Sequence, residues 1–441
     1  MSANDLDDDR STETIDAHAQ TIRDGRPHVV VVGAGFGGAA AVRAMRNQPV
    51  QVTWIDRRNH HLFQPLLYQV ATAALSPADI AAPIREMARG YANVRVMYDE
   101  VVGVDPAKRT VHTASKSVTY DYLIMATGAK TSYFGHDDWG RHANGLKTVE
   151  EATTIRRKVL LALERADMAA TDEERRKRLT FVLIGGGPTG VEMSGAIADL
   201  ARHTLIKDFP SIRPEMISIV LVEGVDQVLP GFPKDLADFA KSKLEGMGVD
   251  VRTGTMVEDI EEHTVVASGE RLHAEVIVWS AGVVATPVAE WLGIGGDRRG
   301  RVTVGPDLAV PELDGVFVIG DAALAMDEEN GRPFPGVAPV AKQQGAYVGR
   351  RIADLAADKN PSEPFRYRDY GMLATVGRAS AVAALGKFHL KGFPGWVLWA
   401  LVHIRYLIDF RSRLQVLINW IWEFARFSPG ARLILGTDDP E

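Results

Sequence analysis

Gly33, Gly35 and Gly38 stand in the spacing G-x-G-x-x-G, directly behind the apolar run "HVVVV" and ahead of a helix rich in small residues, with Ala34, Phe36 and Gly37 between them. The first glycine permits a tight turn, the second lets backbone N–H groups approach a pyrophosphate, and the third allows helix and strand to pack closely. Asp56 follows Gly38 by 18 residues, at the end of the next apolar run. A carboxylate there accepts hydrogen bonds from an adenosine ribose.

The same constellation recurs. Gly185, Gly187 and Gly190, with Pro188 and Thr189 inside the turn, follow "LTFVLI", and Glu223 closes the strand "ISIVLVEG". Glu223 lies 33 residues beyond Gly190 because a segment at 202–216 is inserted first. A carboxylate in this place repels a 2′-phosphate, and Val225 and Asp226 offer no arginine to offset it, so NADH is expected rather than NADPH. Two dinucleotide sites on one chain are what an enzyme needs to pass a hydride from a nicotinamide to a flavin.

The elements that must carry these turns are buried parallel strands alternating with helices. "YDYLIMATGA" (120–129) and "HAEVIVWSAGV" (273–283, containing Ala281 and Gly282) play matching parts in the two units, and "GVFVIGDAA" (315–323) adds another strand ending in Gly-Asp. The expected fold is α/β, with two Rossmann-like domains, the second inserted in the first. The boundaries read as 27–147 plus 299–385 for the first domain, 148–298 for the second, and 386–441 for a C-terminal module.

Composition narrows the chemistry. A chain of 441 residues with 46 % hydrophobic and 24 % charged residues has room for two or three domains. Its net charge of −7 argues against nucleic acid as a partner of the whole chain. With no cysteine, disulfide exchange, thiolate metal sites, iron–sulfur clusters and catalytic thiols are excluded. The 12 histidines show no H-x-x-x-H pair, and no metal is expected. Residues 1–26 are polar and acidic, unlike a secretory signal, and read as a disordered tail.

Over about residues 27–385 the chain resembles the two-dinucleotide-binding flavoproteins, in which the first site holds FAD and the second NAD(P)H. Its Ala126-Thr127-Gly128 matches the family's A-T-G turn, and Gly320-Asp321 matches the G-D that places an Asp near the flavin ribityl chain. Three segments are more specific: "HHLFQPLLYQVATAALSP" (60–77), "GGGPTGVEMSG" (185–195) and "GVAPVAKQQGAYVG" (336–349). They resemble the type II NADH dehydrogenases, single-chain NADH:quinone oxidoreductases that do not pump protons.

The resemblance implies non-covalent FAD held by the first turn with Asp56, Arg57, Gln64, Val101, Thr127, Gly128, Asp321, Ala338 and Pro339, and NADH held by the second turn with Glu223, Ala281 and Gly282. It links Glu192, expected in the first turn of its helix, to quinone reduction. Pro339 stands where many members carry a quinone-reaching Gln, so Lys342 and Gln343 become candidates for that role. It also implies a membrane quinone, ubiquinone or menaquinone, as acceptor, a peripheral place on the cytoplasmic face of a bacterial inner membrane, and a homodimer. A soluble NADH-dependent reductase of a ferredoxin- or rubredoxin-type carrier, and an NADH-switched flavoprotein sensor, stay open as alternatives.

The C-terminal module reads as the membrane contact. Trp396, Trp399, Trp420 and Trp422 cluster there, among Lys387, Lys391, Arg405, Arg411, Arg413 and Arg426. As one helix, 396–413 puts Trp396, Trp399, Ala400, Leu407 and Phe410 on one face and Arg405, Asp409 and Ser412 opposite. Gln415, Asn419 and Glu423 form a polar stripe on the next helix. No run of ~20 apolar residues occurs, so these segments are expected to lie on a bilayer rather than cross it. The sequence leaves open whether the module anchors, dimerises or does both.

Overall fold

The run His28–Val32 forms strand β1 with its four valines buried, because β-branched side chains suit a pleated surface covered on both faces. The computed structural model describes residues 25–201, 208–361, 363–407, 410–426 and 432–434. Most of the acidic tail and residues 202–207 of the inserted segment lie outside them. After β1 the chain turns at Gly33, whose φ of +104° favours glycine, into helix α1 (Phe36–Ala44) and strand β2 (Gln51–Asp56). There follow α2 (Leu67–Ala71), β3 (Val94–Tyr98), β4 (Tyr122–Met125) and α3 (Val149–Asp167). The second motif comprises β5 (Thr180–Ile184), α4 (Pro188–Asp199), β6 (Ser218–Val222), β7 (Val249–Arg252) and β8 (Val276–Trp279). Then come β9 (Val316–Val318), α5 (Ala338–Leu355), the meander β10 (Met372–Thr375), β11 (Ala381–Leu385) and β12 (Phe388–Gly392), and helices α6 (Phe393–Tyr406) and α7 (Phe410–Arg426).

The chain divides into two compact units. One comprises the chain up to His61 with Pro83–Ala129 and Val284–Asp369; the other comprises Leu62–Ala82, Lys130–Val283 and the chain from Tyr370. The first unit is built on a parallel sheet in the order β9-β4-β1-β2-β3, around a core that includes Val30, Trp54, Ile124 and Phe317. In the second, the two-residue strand Ala143–Asn144 edges a parallel sheet in the order β8-β5-β6-β7. The strand orders are the same, each first strand lying between the second and fourth of its motif, so the repeat read from the glycine turns is a repeat of topology.

The units part from the expected boundaries in four places. Residues 62–82 and 130–147 leave the first domain for the second unit, 284–298 leave the second domain for the first unit, and the second unit takes in 370–385 with everything after it. Packing explains the first and the last of these: α2 lies against α3 and α4, β10 packs on α4, and the Tyr68 hydroxyl meets Thr375 Oγ1 at 2.9 Å.

The segment 396–413 is not one helix, because the break between the two C-terminal helices falls at Leu407. Leu407 is extended (ψ 147°), and the Arg413 guanidinium donates from Nε and Nη2 to the Leu407 carbonyl at 3.1 and 3.0 Å, satisfying the helix end. The expected faces change accordingly. Trp399 and Trp420 are buried, as are Leu407, Ser412 and Val416, so half of the tryptophan cluster is core rather than interface. Exposed instead are Phe393, Val397 and Leu401 on α6 and Leu414, Leu417, Ile418, Ile421 and Trp422 on α7. Asp409 lies outside the described residues, among which no helix is long and apolar enough to cross a membrane.

Candidate functional site

The two glycine turns share one construction. In the first, Gly33 N–H donates to the Ile55 carbonyl (2.8 Å), and the Trp54 indole N–H donates to the Gly33 carbonyl (3.1 Å). A Cβ on Gly33 would lie 2.4 Å from the Ala126 carbonyl oxygen, and one on Gly38 would lie 1.9 Å from that of Gly33, so the protein's own packing requires both glycines. Gly35 differs: its φ of −71° suits any residue, and a Cβ on it would have nothing within 4 Å. Asp56 closes the turn, accepting from Ala34 N–H at 2.6 Å and Arg58 N–H at 2.7 Å. Burial raises its carboxyl above the usual range, and those two N–H groups oppose it.

In the second turn Gly185 N–H donates to the Val222 carbonyl (2.8 Å) and Ser280 Oγ to the Gly185 carbonyl (3.0 Å). Glu223 accepts from Gly186 N–H at 2.5 Å and Val225 N–H at 3.0 Å. A Cβ on Gly190 would lie 1.8 Å from the Gly185 oxygen, and one on Gly185 would lie 2.6 Å from the Ala281 backbone. Gly187 is the counterpart of Gly35, with φ −67° and open space above it. Pro188 begins α4, where a missing N–H costs nothing, with Thr189 behind it. Gly282 lies under the exposed Phe134 ring, whose tip is 2.5 Å from where its Cβ would be.

The remaining expected residues have mixed surroundings. Thr127 Oγ1 meets Thr286 Oγ1 at 2.5 Å beside Gly128, Val101 is buried in the first core, and Arg57 pairs with Glu100 at 3.2 Å near the surface. Asp321 sits in a single turn, Gly320–Ala322, and Gln64 belongs to the second unit, donating to the Lys147 carbonyl at 2.9 Å. Ala338 and Pro339 open α5, where proline's fixed φ suits the first turn. Gln343 is committed to a backbone clamp on Arg368, donating from Nε2 and accepting at Oε1, both at 2.9 Å. Its buried neighbour Gln344 accepts from Gly320 N–H at 2.7 Å. Lys342 stands close enough to His61 to disfavour its protonation.

His61 lies in the quoted segment 60–77, but no role was expected for it. Its buried ring donates from Nδ1 to the Ala34 carbonyl at 2.6 Å and meets Phe36 edge-on at 5.2 Å, bracing the turn. Burial lowers its pKa to about 4, so the ring stays neutral. The doublet His60-His61 directly after the Asp56 strand was the available signal.

Glu192 lies beyond the first turn of α4, because Gly187 caps the helix and Pro188 is its first residue. The N-terminal dipole, which fades within a turn, therefore does not account for it. Surrounding protein pushes its carboxyl up to about 8, against a single opposing contact from Thr375 N–H to Oε1 at 3.3 Å. That places a carboxylic acid able to hold a proton at neutral pH at the base of the second turn.

Residues 27–345 match the pyridine nucleotide-disulphide oxidoreductase family. The chain is 39% identical over 414 residues to the type II NADH:quinone oxidoreductase Ndh of Mycobacterium tuberculosis, covering 90% of this chain and 88% of that protein. NdhA of the same organism is 39% identical over 418 residues, covering 90% and 87%. The chain belongs to the type II NADH:quinone oxidoreductases. The NDH2 structure from Plasmodium falciparum in complex with NADH has the same fold, with a TM-score of 0.85 at 22% identity over 93% of this chain and 100% of that one. Type II NADH:quinone oxidoreductases thus sit inside a family named for disulphide chemistry, yet this member has no cysteine with which to perform it.

Proposed function

We infer that this chain oxidises NADH and reduces quinone, with FAD held at the first glycine turn as the go-between. The observation that carries the reading is the pair of equally built turns on a cysteine-free chain whose relatives are named NADH:quinone oxidoreductases. The first turn fits FAD: the space over Gly35 is where a Cβ would meet a pyrophosphate, and Asp56 ends β2 where a ribose needs an acceptor. Thr127, Gly128, Asp321 and the first turn of α5 would complete the flavin's cradle. FAD held there would supply the exchange between hydride and electrons, the chemistry that no side chain of this protein supplies.

The protein's own groups bind, orient and handle protons. Gly185–Gly190 and Glu223 hold NADH, with the carboxylate disfavouring a 2′-phosphate. Quinone reduction takes two electrons and two protons; NADH brings the electrons with one proton, and Glu192 gives the second from its carboxyl to a quinone oxygen, refilling from solvent. In anaerobic protein with flavin bound, NADH is expected to bleach the visible absorption and a soluble quinone to restore it. Bleaching that ferredoxin or oxygen reverses but quinone does not would overturn the reading.

The acceptor is a membrane quinone, and the exposed apolar side of α6 and α7 is the surface that meets the bilayer on its cytoplasmic face. Leu401, Leu417, Ile418, Ile421 and Trp422 are exposed there, near exposed Arg405 and Arg411, as interfacial helices require. Ile418→Glu with Ile421→Glu is expected to abolish co-sedimentation with anionic liposomes while leaving reduction of a soluble quinone intact. A second copy of the chain would compete for this face. If the double variant still sediments with liposomes but changes from dimer to monomer, the face is a dimer interface instead.

A further inference from the structure

Within the second unit, a line of side-chain hydrogen bonds ends beside Glu192. On α7, Trp420 Nε1–H donates to Gln69 Oε1 at 2.8 Å. Gln69 Nε2 donates to the Tyr68 hydroxyl at 3.0 Å, that hydroxyl meets Thr375 Oγ1 at 2.9 Å, and Thr375 N–H donates to Glu192 Oε1 at 3.3 Å. Trp420, Tyr68 and Thr375 are buried.

The line has a direction where it leaves α7. An indole only donates, so Trp420 turns the Gln69 amide with its oxygen toward α7 and its nitrogen toward Tyr68. The Tyr68 hydroxyl that receives this N–H shares a hydrogen bond with Thr375 Oγ1. Trp420 is itself held by the Trp399 ring of α6 at 5.1 Å, and Asn419 beside it donates to Asp79 Oδ2 at 3.3 Å.

We propose that Trp420, Gln69 and Tyr68 are positioning residues for Glu192, through which the seating of α7 on α2 holds the Thr375 amide against the carboxylate and sets the proton step of quinone reduction. The inference rests on the role given to Glu192 above. It makes the helix that carries the exposed apolar face also the helix that tunes the acid.

The sign follows from the surroundings of Glu192. Burial raises its pKa and Thr375 N–H lowers it; no charged side chain from α2, β5, β6, β7, β10 or the helix Lys234–Gly246, all of which pack on α4, contributes. Loosening Thr375 removes the one contact that favours the ionised form, so the pKa rises further.

The test uses the full-length flavin-loaded protein and the variants Trp420→Phe and Tyr68→Phe, each of which keeps an aromatic side chain and removes its one polar atom. The Glu192 carboxyl is titrated by its infrared C=O stretch, assigned as the band missing in Glu192→Gln, and the pH profile of quinone reduction is measured alongside. Both readouts are expected to move upward by about half a pH unit in each variant, with flavin bleaching by NADH unchanged. Wild-type titration in both variants, with Glu192→Gln slow, overturns this inference alone. Wild-type quinone reduction by Glu192→Gln overturns the role of Glu192 and the inference with it.

Discussion

Glu192→Gln is expected to slow quinone reduction by about 100-fold, the usual contribution of a positioned acid, while NADH bleaches the flavin at the wild-type rate. The wild-type pH profile supports the same assignment from another side. A carboxyl with a pKa of about 8 carries its proton below that pH and loses it above, so quinone reduction falls as pH rises through about 8. The Gln variant, already slow, lacks that fall.

The same substitution has an opposite effect on stability. Between the ordinary value of 4.5 and about 8, folded Glu192 binds a proton that the unfolded chain releases. Stability therefore declines as pH rises across this window, because ionising the acid inside the protein is unfavourable. Gln is never ionised, so the variant's Tm should exceed the wild type's by a margin that grows from pH 5 to pH 8.5. A variant that is slower and more stable marks a group kept for chemistry rather than for folding.

Gly187→Val and Gly190→Ala are expected to fail in different ways, although they lie three residues apart. Gly187 has ordinary dihedrals and open space above it, so valine leaves Tm unchanged but meets the incoming pyrophosphate. A displacement of that kind should raise the KM for NADH about 100-fold. Gly190 faces the Gly185 carbonyl oxygen at 1.8 Å from its would-be Cβ, and even alanine forces helix and strand apart at a cost of about 3 kcal/mol. Thermal melts with NADH kinetics separate the two outcomes. Equal loss of Tm in both variants would show that the open space over Gly187 is not a ligand's space.

The glycine turns were legible because their requirements are local. A tight turn, a close helix approach and an open middle position each fall on a fixed residue of a six-residue motif, and Asp56 and Glu223 end the strands that must follow. The Gln343 and Pro339 region was less so: a side-chain amide reads as available in sequence, and only the clamp on the Arg368 backbone shows it in use. Glu192 was singled out by its motif, but its raised pKa comes from the protein packed around it and could not be read from the chain.

The C-terminal helices mark the division most clearly. Periodicity showed that each has an apolar side, but a helix's pattern does not say what covers it. The buried side proved to be Trp399, Val416 and Trp420, and the exposed side Leu401, Ile418 and Ile421. The break at Leu407 depends on the Arg413 side chain reaching back to one carbonyl. What the sequence by itself determined is the doubled dinucleotide fold, the absence of thiol chemistry and the family, because glycine spacing, strand hydrophobicity and residue count are properties of the chain alone. Tertiary structure alone decided which apolar side faces out and which groups surround Glu192, because Tyr68 and Thr375 meet across 307 residues and no local pattern carries that distance.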